Sequence, residues 1–215
     1  MIRFKNRVDA GKKLLPYLEK YKDAPDAVVI GLPRGGVPPA AVIAKGLHLP
    51  LDIIVTRKIA SPIQPELALG ALTQEGVPLF DQKLLSMVGM TQAQLEPIVQ
   101  AEKKEAQRRL ELYRGDRSPL DLTDKIAILI DDGIATGSTM LATIISARAL
   151  GAKKVVVAVP VCPPDSLKKI QKEADEVICL DVPDLFWGVG GFYDSFAQTE
   201  DDEVVTILKG LESPS

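Results

Sequence analysis

Histidine is almost missing from this sequence: His48 is the only one in 215 residues. Hydrolytic chemistry that pairs a serine or cysteine with an imidazole would have to use it. It lies in AKGLHLPLD, between a helical pattern and a strand, and no GxSxG occurs. A structural or exposed role is therefore expected. Cysteine is also scarce. Cys162 and Cys179 alone argue against a disulfide framework, make a reducing cytoplasm the default setting, and leave too few ligands for a zinc site. They read as buried thiols near strand ends. Charge of one sign is lacking: 26 basic against 29 acidic residues give a net charge of -3, without the basic surplus that marks nucleic-acid partners. No run approaches the roughly 18 apolar residues of a membrane helix. The N-terminal MIRFKNRVDAGKK carries no apolar signal-peptide core. There is no internal repeat or low-complexity segment.

What is present is an ordinary globular balance, 46% apolar and 26% charged, in a length that suits one domain with or without a small lid. Helical spacing opens the chain: Val8, Leu14, Leu15, Leu18 and Tyr21 can share a face, and that apolar helix can pair two subunits into a homodimer. Continuous apolar runs at 27–31, 51–58, 125–132, 153–161 and 176–182 suit strands buried on both faces. Helical patterns at 38–47, 138–151 and 164–174 separate them. Strands alternating with helices imply right-handed crossovers and a parallel sheet. Residues 59–124 break the alternation. ELALGALTQEGVPLF (66–80) predicts a hairpin turning around Glu75-Gly76. Residues 91–115 predict a long helix whose AEKKEAQRR run is a solvated face with i,i+4 pairs. This insertion leaves a strand's carboxyl end, where open α/β sheets bind ligands, so it is placed to cover a site.

The chemistry concentrates in ILIDDGIATGSTM (128–140). Asp131 and Asp132 fall at the carboxyl end of a strand, and a helix begins near Ser138. The first amides of a helix lack intrahelical partners, and its dipole is positive there. Amides from Ala135 through Thr136, Gly137, Ser138 and Thr139 can thus surround a phosphate, with hydroxyls as further donors. No lysine follows Gly137, so this is not a nucleoside triphosphate loop, and no GxGxxG is present. Carboxylates accept hydrogen bonds from vicinal hydroxyls, as in ribose recognition, and favour a nearby divalent cation. Two acids beside a phosphate cradle suit a sugar phosphate. A capping turn would explain one aspartate, but not the whole run.

LIDDGIATGST resembles the phosphoribosyl pyrophosphate motif of type I phosphoribosyltransferases. The resemblance implies that Asp131 and Asp132 bind the ribose 2- and 3-hydroxyls and that residues 135–139 hold the 5-phosphate. Two further strand ends agree. Leu32-Pro33-Arg34-Gly35-Gly36 resembles the family's pyrophosphate loop, which implies a strained or cis Pro33-Arg34 peptide. Arg57-Lys58, ending a buried strand, resembles the cation pair that meets pyrophosphate. The resemblance covers roughly residues 25–160. It implies a Rossmann-like α/β core (25–58 and 125–182) in a single domain spanning 1–215, with the insertion at 59–124 and a C-terminal hood at 182–215. The implied activity is Mg²⁺-dependent transfer of ribose 5-phosphate to a small base, as in nucleotide salvage, with Arg34, Arg57, Lys58, Asp131 and Asp132 as catalytic residues and the aspartates near the metal.

Departures narrow the acceptor. Ala135 stands where 6-oxopurine enzymes often carry an acid. The Lys-x-His-Gly setting of orotate enzymes is also missing. Glu66 is a substitute acid, though a surface role suits it better. VPDLFWGVGGFYDSF (182–196) concentrates aromatic residues, and its start resembles the hood of purine enzymes. Phe186 and Trp187 are the base-stacking candidates. A phosphoribosyl-binding regulator without turnover is the alternative function.

Overall fold

Five apolar runs form the central sheet of the computed structural model, which describes residues 2–64, 67–115 and 117–211. Strands β1 (Ala27–Gly31), β2 (Leu51–Ile53), β6 (Ile126–Ile130), β7 (Lys154–Val161) and β8 (Glu176–Asp181) are all parallel, in the order β2-β1-β6-β7-β8. Burial of Val29, Ile128, Val156 and Ala158 on one face and Ile30, Leu129, Val155 and Val157 on the other explains why these strands read as unbroken apolar runs. Helices α2 (Val37–Leu47), α5 (Ser138–Ala149) and α6 (Pro164–Glu173) are the crossovers.

The N-terminal helix changes pitch as it runs. It is α-helical over Arg7–Leu14 (α1) and 3₁₀ over Leu15–Tyr21, with Pro16 at the start of the second part. Proline lacks the N–H that an α-helical interior needs. Leu14, Leu18 and Tyr21 are buried in the chain's own core. Most of the apolar face that suggested subunit pairing is thus consumed internally, while Val8 stays exposed.

One strand departs from expectation. The run 51–58 is not continuous: β2 stops at Ile53, and Arg57–Ala60 is β3, in a separate sheet. Between them the chain is held by side chains. The Val55 amide donates to Gln74 Oε1 (3.0 Å), and the Thr56 and Thr143 hydroxyls meet at 3.1 Å. β3 pairs antiparallel with β4 (Ala68–Leu72), and β4 with β5 (Pro78–Phe80), around the expected turn, where Gly76 has φ 77°. After a short helix, α3 (Gln82–Met87), the long charged segment forms α4 (Gln92–Arg114), opened by a capping box of Thr91 and Gln94. Ile59, Leu69, Leu72, Leu85, Leu95 and Val99 give the insertion its own small core.

The insertion is bolted to the body at several points. The Gln74 amide donates to Ser146 Oγ on α5 (3.0 Å). Arg114 pairs with Asp52 on β2 (2.5 Å), and Tyr113 donates to Asp201 (2.5 Å) at the start of α7 (Asp201–Gly210). No helix among the described residues is long and apolar enough to cross a membrane. His48 caps α2 in a left-handed conformation and pairs with Asp23 at the surface (2.8 Å). Cys162 is buried and Cys179 partly buried; burial raises both thiols, to about 12 and about 11.

Candidate functional site

Loops after β1 and β6 meet at the carboxyl edge of the sheet. The Leu32 amide donates to the Ile130 carbonyl (3.0 Å), and the Gly36 amide to the Leu32 carbonyl (2.9 Å). The contact is too close for side chains. A β-carbon on Gly35 would fall 2.1 Å from Asp132 Oδ2, and one on Gly36 2.4 Å from the Ile130 carbonyl. The paired glycines therefore let the LPRGG loop lie directly on the two acids. The Pro33-Arg34 peptide is cis, as the resemblance implied.

A cavity of about 230 Å³ opens beside this junction. Asp131, Lys58, Thr136, Gly137 and Thr139 contribute to its wall. The phosphate loop has the expected form. Gly137 is the N-cap of α5 at φ 83°, a conformation that favours glycine, and among the described residues no side chain caps that helix end. Ser166, at the start of α6, donates from its hydroxyl to the Ala135 carbonyl (2.6 Å) and fixes the loop from behind. A larger cavity of about 500 Å³ lies between α4 and the 74–76 turn. It contains neither acid of the motif nor any residue of the phosphate loop, so the smaller one is the candidate site.

The two acids have different surroundings. Burial and then the neighbouring Asp132 charge push Asp131 well above the usual carboxylate range. Burial also raises Asp132, but the Arg7 guanidinium opposes it. Arg7 Nε stands 2.7 Å from Asp132 Oδ2, with both side chains 13% exposed, and the Tyr193 hydroxyl donates to the Asp132 carbonyl (2.6 Å). Arg7 does not stand out in the sequence, and Tyr193 reads there only as one of the aromatic residues of 182–196 rather than as a partner of Asp132. Only their return from the chain's two ends, where Phe4 bridges to Tyr193, reveals them.

The cations do not act as an adjacent pair. Successive strand residues point to opposite faces, so β3 sends Lys58 to the cavity and Arg57 to Glu102 on α4 (2.6 Å). Arg34 reaches from its loop to Glu200 (3.3 Å) and Asp201 (3.6 Å). The aromatic expectation also changes. Phe186 stacks on Phe192 with ring centres 5.7 Å apart, and Trp187 is 91% exposed. The hood residue at the cavity is Val189, whose apolar character the sequence did not set apart. Ala135 lines the cavity without an acid. Glu66 lies outside the described residues.

A parallel sheet with two acids and a glycine-capped helix start at its carboxyl edge narrows the class, and comparison with known proteins names it. The family model "Phosphoribosyl transferase domain" matches residues 5–197. The chain belongs to that family. A Mycobacterium tuberculosis protein named "Putative phosphoribosyl transferase Rv0571c" is 45% identical over 205 residues, 95% of this chain and 46% of its own. The chain thus spans about half the length of the curated relatives it matches. The crystal structure of TT1426 from Thermus thermophilus is 34% identical, with a TM-score of 0.80 over 99% of this chain and all of that one. A uracil phosphoribosyltransferase of Acinetobacter baylyi is 40% identical over a shorter stretch of 57 residues, 26% of this chain and 27% of its own.

Proposed function

We propose that the protein transfers ribose 5-phosphate from phosphoribosyl pyrophosphate to a small nitrogenous base, with release of pyrophosphate, in a cytoplasmic setting. The observation that carries this reading is the joint wall formed by Asp131, Lys58, Ala135, Thr136, Gly137 and Thr139 around one cavity. The 5-phosphate sits at the N-terminus of α5, where amides and the helix dipole favour an anion. Asp131 accepts from the ribose diol, and its charge steadies the positive ring as the bond to diphosphate lengthens. Lys58 and Arg34 meet the leaving diphosphate. Both Arg34 contacts use Nη1, and a guanidinium has five N–H donors, so the side chain can hold α7 with one edge and the diphosphate with another. Arg57 acts through the position of β3 rather than by contact.

The residues also fit Mg²⁺. This ion takes one or two carboxylates plus substrate phosphates, and Asp131 with a diphosphate provides such a set. When bound, the ion neutralises diphosphate charge. The acceptor enters past Val189. No acid stands at Ala135 to relay a proton to a 6-oxopurine. Arg57 turned away and Ala135 without a carboxyl favour a second reading, a donor-binding regulator without turnover.

A panel of purine and pyrimidine bases with labelled donor tests both readings. Pyrophosphate released with one base supports transfer. Tight donor binding with no release from any base supports the regulator.

A further inference from the structure

Arg7 belongs to neither the donor motif nor either loop, yet its side chain ends on the motif. Its Nε meets Asp132 Oδ2 at 2.7 Å, Nη1 donates to the Ala197 carbonyl at 2.5 Å, and the guanidinium carbon lies 4.0 Å above the Phe196 ring. Three independent contacts thus fix one planar group. Its support is equally fixed: Asn6 caps α1 by accepting from the Asp9 amide (2.9 Å), and Ala10 and Leu14 are buried behind it. On the far side, Gly35 packs against the same Asp132 carboxylate, and Tyr193 holds the Asp132 carbonyl.

A surface ion pair has no need of such support. A planar guanidinium with an aromatic ring beneath it offers a carboxylate a direction as well as a charge. We infer that Arg7 is a positioning residue for sugar recognition: it holds the Asp132 carboxylate and, through the Asp132 amide that donates to Asp131 Oδ1 (2.9 Å), sets the aim of Asp131 at the ribose diol. The segment 193–197 then belongs to the donor site through Arg7, although it does not line the cavity. This inference rests on the proposed donor reading and deepens it.

The test compares binding of ribose 5-phosphate and 2-deoxyribose 5-phosphate by calorimetry with Mg²⁺ present. Wild type should prefer the ribose compound; equal affinities would overturn the donor reading itself. Given that preference, Arg7→Gln should reduce the ratio at least fivefold, toward that of Asp132→Asn, and Arg7→Lys should restore only part of it. Arg7→Gln leaves a buried carboxylate unpaired and so threatens folding. Phe196→Leu removes the ring and keeps every charge, and should lower the ratio about twofold to threefold, consistent with a cation–π contact. A lowered melting temperature with a wild-type ratio in Arg7→Lys and Phe196→Leu would make Arg7 a merely structural residue. A wild-type ratio in Asp132→Asn would also overturn the inference.

Discussion

At the scale of single residues, side-chain direction decides what a motif can do. Arg57 and Lys58 are adjacent cations, but only Lys58 reaches the cavity. Lys58→Met should weaken donor binding about 10- to 100-fold, the worth of a charged hydrogen bond, read by calorimetry. Arg57→Met should act on stability instead. It breaks a partly exposed pair worth about 1 kcal/mol or less, lowering melting by roughly 2–4 °C, with little effect on donor affinity; calorimetry and thermal melts on the two variants separate the roles. Gly35→Ala forces a methyl into the Asp132 carboxylate. It should cost about 1–3 kcal/mol in stability and abolish donor binding, read in the same two assays. The tandem acids and the glycine pair were legible in the sequence because their spacing is local. Arg7, Tyr193 and Val189 were not, because their part in the site depends on contacts between distant segments.

At the scale of elements, the phosphate loop is held from outside its own motif. Ser166 on α6 supplies one hydrogen bond to Ala135, worth about 1 kcal/mol. Ser166→Ala should therefore lower donor affinity about fivefold and leave the sheet intact by circular dichroism. The strands of the central sheet were readable as apolar runs, the hairpin as a turn pattern, and the long helix as a charged stretch with i,i+4 pairs; its capping box at Thr91 and Gln94 was not. The break after Ile53 was not, since the IVT that follows is as β-branched as a strand interior. What ends β2 is a side-chain contact to Gln74 and another to Thr143. A third element-level device joins β7 and β8 to the N-terminal 3₁₀ turn. Burial pushes Glu176 up, but hydrogen bonds from Lys20, Tyr21 and Lys154 outweigh it and hold the carboxyl at about 2. A depressed acid contributes stability above its unfolded pKa and loses it as pH falls through the folded value. Stability of the wild type should thus drop between about pH 4.5 and about pH 2, and Glu176→Gln should flatten that slope in pH-dependent melts.

At the scale of the molecule, residues 4–10 pack with 192–197 beside Asp132, while the insertion borders the cavity through Ala68. Phe4, Tyr193 and Phe192 form one small core there, and the sheet of β3, β4 and β5 leans on α5 through Ser146 and Thr143. α4 is tied to β2 and α7 by Arg114, Tyr113 and Arg108. The insertion thus serves as a fixed wall of the site. It brings Lys58 into the cavity wall that Asp131 shares, a placement that only the folded chain brings about. On the proposed function, this wall, the 135–139 loop and the acids together bind phosphoribosyl pyrophosphate. Calorimetric titration of the wild type and Asp131→Asn with that donor and Mg²⁺ tests it most directly. Saturable one-to-one uptake by the wild type, lost or weakened at least 100-fold in Asp131→Asn, is the expected result; no heat of binding to the wild type, or equal affinity in both proteins, would contradict it.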